Sequence, residues 1–204
     1  MARRKRTRYL NRDGFARPQP ADMSRIVGLG GSLRAASFNS GLLRAAAELT
    51  PAGTTLEVHG VADIPLYDGD QEEAHGIPAP VAALKDAIAA ADGLLIATPE
   101  YNASIPGVLK NVIDWLSRPT DDIARVFGGK PVALIGASPG GFGTILAQEA
   151  WLPVLRKLGA APWFGKSLTV ARAGALFDKD GNLIDEETRD KLRDFMAEFA
   201  AAIG

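Results

Sequence analysis

The chain has no cysteine in 204 residues. Disulfides, iron–sulfur ligation, thiol nucleophiles and cysteine zinc sites are therefore excluded. His59 and His75 are the only histidines and lie far apart, so no structural metal is expected. No apolar run approaches the roughly 18 residues of a membrane-spanning helix. Net charge is only −1, with 47% hydrophobic and 23% charged residues. That balance is ordinary for one globular domain with a sizeable core.

The small net charge hides an asymmetry. Residues 1–22 carry seven arginines and lysines against Asp13 and Asp22, so this stretch is +5 and the remainder −6. With high charge and no apolar periodicity, residues 1–24 are expected to be a disordered basic tail without a specific partner. A secretory signal is poorly supported because no apolar core follows the charges. Nucleic-acid binding is the sharper reading of the tail and is disfavoured. Met23 sits just before the first strand, so a start-site extension also fits.

From residue 25 to 204 the pattern is a regular alternation. Ile26–Gly30, Thr54–Val58, Gly93–Thr98, Lys130–Ala137 and Leu168–Val170 read as strands, the inner ones continuously apolar as in a parallel sheet. Gly41–Leu49, Pro78–Ala91, Val108–Ser117, Thr144–Leu158 and Asp185–Ala202 read as helices. Pro153 should bend or split the fourth, and Asp185 should cap the last. This predicts one α/β domain with a doubly wound, five-stranded parallel sheet and helices on both faces. With strand order 2-1-3-4-5, the loops after strands one, three and four converge on one crevice at the strands' carboxyl ends.

Those three loops hold the chemistry. Gly30 to Ser40 offers glycine backbone, Ser32, Ser37, Asn39 and Ser40 as donors and Arg34 as a cation, a set suited to a phosphate at a helix start. An ordinary capped turn fits the same residues. The loop is neither a Walker P-loop nor a G-x-G-x-x-G fingerprint, because Leu33 stands where that pattern needs glycine. ATP and tightly bound NAD are disfavoured. Pro99-Glu100-Tyr101-Asn102, closed by Pro106, offers backbone amides and one side-chain amide to a flat heterocycle, although a polar turn would look alike. Ser138-Pro139-Gly140-Gly141 has little bulk, so a planar ligand could lie against its backbone. No catalytic acid, base or nucleophile stands out, so a cofactor is expected to do the chemistry.

Gly31-Ser32-Leu33-Arg34-Ala35-Ala36-Ser37-Phe38-Asn39 and the run from Pro99 to Pro119 closely resemble the NADPH-dependent FMN reductase family, including bacterial chromate and quinone reductases. The resemblance covers about residues 25–200. It implies a flavodoxin-like fold, non-covalent FMN, NADPH or NADH as co-substrate, a small-molecule electron acceptor and a cytoplasmic homodimer or homotetramer. Ser32, Leu33, Arg34, Ala35, Ala36, Ser37, Phe38 and Asn39 would then hold the phosphate. Pro99, Glu100, Tyr101 and Asn102 would line the ring, and Ser138, Gly140 and Gly141 would close its other side. Tyr67 would reach the outer rim, and the helix from Val108 to Leu116, with Trp115, would help form a dimer interface. A flavodoxin-type electron carrier without its own turnover is the alternative on the same fold.

Overall fold

The computed structural model describes residues 23–204, so the expectation of a basic tail falls, up to residue 22, outside the described residues. Strand β1 (Ser24–Gly30) begins earlier than its apolar run suggests, because Ser24 and Arg25 pair in parallel with Thr54 and Thr55 of β2 (Thr54–His59). Next to β1 on its other side lies β3 (Gly93–Ala97), followed by β4 (Pro131–Ala137). All these pairings are parallel, and the order is 2-1-3-4-5, as in flavodoxin-like folds.

The period of two along each strand sorts its side chains between two cores. Val27, Leu29, Leu94, Ile96 and Val132 face one layer, made by α3 (Ala79–Ala90), α4 (Gly107–Leu116) and α6 (Ile145–Lys157). Ile26, Leu95, Ala97, Ala133 and Ile135 face the other, made by α1 (Phe38–Leu49) and α7 (Glu186–Ile203). Leu192, Phe195, Met196 and Phe199 give α7 its buried stripe, spaced three, one and three residues apart. As expected, Asp185 caps this helix, accepting from the backbone N–H of Thr188 at 2.8 Å.

Two local expectations are corrected, at the start of α1 and in the fifth strand, and two further segments gain short elements. Helix α1 starts at Phe38 rather than Gly41, with Ser37 as its cap, so Phe38 and Asn39 are helical. A short helix, α2 (Gly69–His75), lies between β2 and α3; it buries no residue and therefore has no apolar period to read. Between α4 and β4, a 3₁₀ turn (Thr120–Asp122) leads into the short α5 (Ile123–Val126). The fifth strand position holds two pieces, β5 (Ala161–Pro162) and β6 (Leu168–Val170), which pair with the beginning and end of β4. Between them the chain leaves the sheet, and Trp163 packs its ring 5.1 and 5.2 Å from those of Phe195 and Phe199. Pro153 lies inside α6 without splitting it.

Candidate functional site

Strands β1 and β3 end side by side, Gly30 beside Ala97, and β4 passes Ala97 at Ile135 and ends two residues later, so their loops open on one side of the sheet. The cleft between them is lined by Ser32, Arg34, Ser37 and Asn39 from the first loop and helix start, Glu100 and Tyr101 from the second, and Ser138 from the third, with Phe38, Pro99, Ala137 and Pro139. Two glycines let the loops approach this closely. A Cβ on Gly31 would lie 2.5 Å from Leu109 Cδ2 and 2.8 Å from Pro99 Cδ. One on Gly136 would lie 2.0 Å from Thr144 Oγ1 and 2.4 Å from the carbonyl of Thr98. The second contact seats the start of α6 directly over β4.

The first loop leads into a twelve-residue helix whose positive end faces the cleft. Among the described residues, the backbone N–H groups of Ala35 through Asn39 have no protein acceptor. The Arg34 guanidinium has no acidic partner there either and lies 5.6 Å from the centroid of the Phe38 ring. Open N–H donors, a helix terminus and an unpaired arginine are what a phosphate monoester requires. Ser32 Oγ accepts from the backbone N–H of Arg34 at 3.2 Å, which orders the turn.

The second loop is a tight hairpin. Tyr101 and Ser104 exchange backbone hydrogen bonds of 3.2 and 3.1 Å, and the two residues between them, Asn102 and Ala103, have φ of 51° and 59°. Both central residues are thus left-handed, as a type I′ turn demands. Asn tolerates that conformation, whereas Ala does so at a cost of about 1–2 kcal/mol. Glu100, immediately before the hairpin, reaches across to α6, where its Oε2 accepts from the backbone N–H groups of Leu146 and Ala147 at 2.9 and 3.0 Å. In the third loop, Ser138 Oγ donates to the carbonyl of Gly143 at 2.6 Å, and Gly140 accepts from the N–H of Arg172 at 2.9 Å.

The profile of the NADPH-dependent FMN reductase family matches residues 24–175. The chain belongs to that family. It is 42% identical over 173 residues to the NAD(P)H-dependent FMN reductase of Pseudomonas aeruginosa, an alignment covering 85% of this chain and 91% of that protein. It is equally similar, at 42% over 171 residues, to the 2-hydroxy-1,4-benzoquinone reductase of a Burkholderia species, covering 84% and 91%. Among solved structures it is similar to FerB, a flavoenzyme NAD(P)H:(acceptor) oxidoreductase from Paracoccus denitrificans. That similarity has a TM-score of 0.75 at 34% identity and covers 88% of this chain and 97% of FerB.

Family membership makes FMN the cofactor to place, and the donor set of the cleft fits its phosphate. Not every residue expected to hold it faces the cleft. Leu33 is 60% exposed and, like Ala35, Ala36, Asn102, Gly140 and Gly141, lies outside the cleft lining. Asn39 is buried, and its side-chain amide is engaged with the backbone of Ala137, so it braces the loop rather than offering that amide to a phosphate. The carboxylate of Glu100 is engaged at α6.

Tyr67, expected at the outer rim, and Trp115, expected in a dimer interface, both lie outside the cleft lining. Tyr67 packs edge-on to Trp115 at 4.9 Å and donates its hydroxyl to Glu72 at 2.9 Å, beside Arg118. The Glu72 bond pushes the Tyr67 phenol above its ordinary range, while the Arg118 guanidinium holds the Glu72 carboxyl below its own. Trp115 is 1% exposed and donates Nε1 to the carbonyl of Pro65 at 2.9 Å. It belongs to this chain's core and not to an interface. Ala137 is a cleft residue that the sequence did not single out, and Pro139 was named only as part of the third loop; their positions flanking Ser138 were the available signal.

Proposed function

We propose that the protein is an NAD(P)H-dependent FMN oxidoreductase that reduces a quinone or similar small acceptor. The observation that carries this reading is the convergence of the three loops on one cleft, with open N–H donors and the unpaired Arg34 at one end. The names of relatives at 42% identity support it. They also favour an enzyme over an electron carrier of flavodoxin type.

FMN, when bound, supplies two-electron chemistry, taking hydride from a nicotinamide and delivering it to the acceptor. The protein's part is binding and orientation. Ser32, Arg34 and the backbone from Ala35 to Ser37 hold the phosphate. Pro99, Tyr101 and the backbone of the hairpin support the ring on one side, and Ser138 with the Gly140–Gly141 backbone borders the other. In the net reaction the acceptor gains the hydride from NAD(P)H and one proton from solvent, so no side chain need act as acid or base.

NADPH is the favoured donor on the family description. Chromate, azo and nitro compounds are further acceptors in this reading; chromate needs three electrons to reach Cr(III) and an azo bond four to be cleaved, so their full reduction takes more than one NAD(P)H turnover. The protein acts in the cytoplasm as a homodimer or homotetramer, with the exposed side of α4, which carries the Lys110–Asp114 ion pair, in the interface. No helix among the described residues is long and apolar enough to cross a membrane.

The decisive experiment is to purify the protein, record its absorption spectrum and assay it with both nicotinamides against a panel of quinones. Bound or captured FMN with quinone-dependent NAD(P)H oxidation is expected. No flavin uptake would overturn the reading, and flavin uptake without turnover would restore the electron-carrier alternative.

A further inference from the structure

Glu100 does something that a ring-lining residue need not do. It lines the cleft, yet both hydrogen bonds its side chain makes leave the second loop and end on the first turn of α6. The N–H groups of Leu146 and Ala147 otherwise lack intrahelical partners. Both bonds converge on one oxygen, Oε2, and among the described residues Oε1 accepts nothing. One turn further along α6, Trp151 donates its indole N–H to Thr98 Oγ1 at 3.1 Å, and Thr98 immediately precedes the ring loop. The loop is therefore pinned to α6 at two points, one of them charged. Directly after the charged pin comes the strained Asn102–Ala103 turn, a conformation that persists only where its surroundings hold it.

The charge has a second consequence. A helix N-terminus carries about half a positive charge, and the start of α6 is bonded to Glu100, which lines the cleft. With the Glu100 carboxylate upon it, that positive end is neutralised instead of being offered to a bound ligand. Reduction of a flavin adds negative charge to the ring, so a site that withholds positive charge keeps the flavin a strong reductant.

We propose that Glu100 is a positioning residue of the flavin site: it locks the ring loop onto α6, and its charge holds down the reduction potential of the bound flavin. This rests on the reading of the cleft as an FMN site. Because both bonds end on a single oxygen, Glu100→Gln can keep both and lose only the charge, while Glu100→Ala loses both bonds.

The experiment measures FMN affinity on apoprotein, thermal melting and the midpoint potential of the bound flavin for wild type and both variants. Glu100→Gln should bind FMN within about threefold of wild type. Its potential should rise, with the redox equilibrium shifted up to about tenfold toward reduced flavin, about 30 mV for a two-electron couple. Glu100→Ala should weaken FMN binding at least tenfold, about 1.4 kcal/mol. If Glu100→Ala does not fold, the potential of Glu100→Gln decides alone. An unchanged or lowered potential in Glu100→Gln, or wild-type FMN affinity in Glu100→Ala, overturns the proposal. Failure of the wild type itself to bind FMN overturns instead the reading of the cleft.

Discussion

Asn39 and Ala137 are joined through both ends of one side-chain amide. Nδ2 of Asn39 donates to the carbonyl of Ala137, and Oδ1 accepts from its N–H, each at 2.9 Å. The pair is buried and separated by 98 residues. It ties the second residue of α1, at the phosphate end of the cleft, to the last residue of β4. Neither group on Ala137 can turn to water, so the amide completes the backbone pairing at the end of the strand.

Replacing Asn39 should therefore cost stability before it costs chemistry. Asn39→Leu leaves a buried N–H and a buried carbonyl without partners, each worth about 1–3 kcal/mol. A loss of about 2–4 kcal/mol in urea unfolding is expected. Asn39→Asp should also destabilise, because a carboxylate cannot donate to the Ala137 carbonyl. A fully stable Asn39→Leu that has merely lost FMN affinity would show that the amide serves the phosphate after all.

Arg34 predicts the opposite pattern. Its guanidinium is solvent-exposed and bonds to no acid among the described residues, so Arg34→Ala should leave the melting temperature of the apoprotein nearly unchanged. A charge-assisted hydrogen bond to phosphate is worth about 1.5–3 kcal/mol, so FMN affinity should fall roughly 10- to 150-fold. Riboflavin, which lacks the phosphate, should bind wild type and Arg34→Ala alike. Isothermal titration of both flavins on apoprotein separates the two results, and equal loss for both ligands would remove Arg34 from the phosphate end.

The hairpin turn offers a gain instead of a loss. Ala103 sits at φ 59° with no glycine to relieve it, so Ala103→Gly should stabilise the protein by about 1 kcal/mol. The added freedom of glycine in the unfolded chain offsets part of that. Chemical denaturation reads the change, and a destabilised variant would mean that the Cβ makes a contact worth more than the strain.

Acid sensitivity is expected from the cluster behind α4. Lys85, only 3% exposed at its side chain, pairs with Asp122 at 2.6 Å and also donates to the carbonyl of Arg118. Hydrogen bonds from Arg125 and then from Lys85 lower the Asp122 carboxyl to about 2. A depressed carboxyl contributes stability that is complete above its unfolded value, about 3.9, and is lost as pH falls through the folded one. Wild type should thus lose part of its advantage over Asp122→Asn between about pH 4 and pH 2. Urea midpoints of the two proteins across that window check it, and a pH-independent difference would exclude the linkage.

The parallel core was legible in the sequence because burial on both faces leaves a continuous apolar run. Leu94-Leu95-Ile96 and Val132-Ala133 carry that signal. The three site loops were legible because glycine, serine and proline cluster where strands stop. Helix α2 was not, since a helix that buries nothing writes no period. The divided fifth strand was also hidden: β-branched residues mark only Leu168–Val170, while Ala161–Pro162 joins the sheet because β4 offers an open edge.

Side-chain roles divide in the same way. Composition and spacing determined an α/β sheet with a polar, glycine-rich crevice free of cysteine and histidine chemistry, and the likeness of two motifs to a known family pointed to the family. Only the tertiary structure decided that Asn39 braces β4, that Glu100 caps α6, and that Tyr67 packs edge-on against Trp115. A carboxylate or amide has the same chemistry wherever it stands. What it does is set by which unpaired backbone groups lie within about 3 Å, and those are brought there by segments about 45 and 100 residues away.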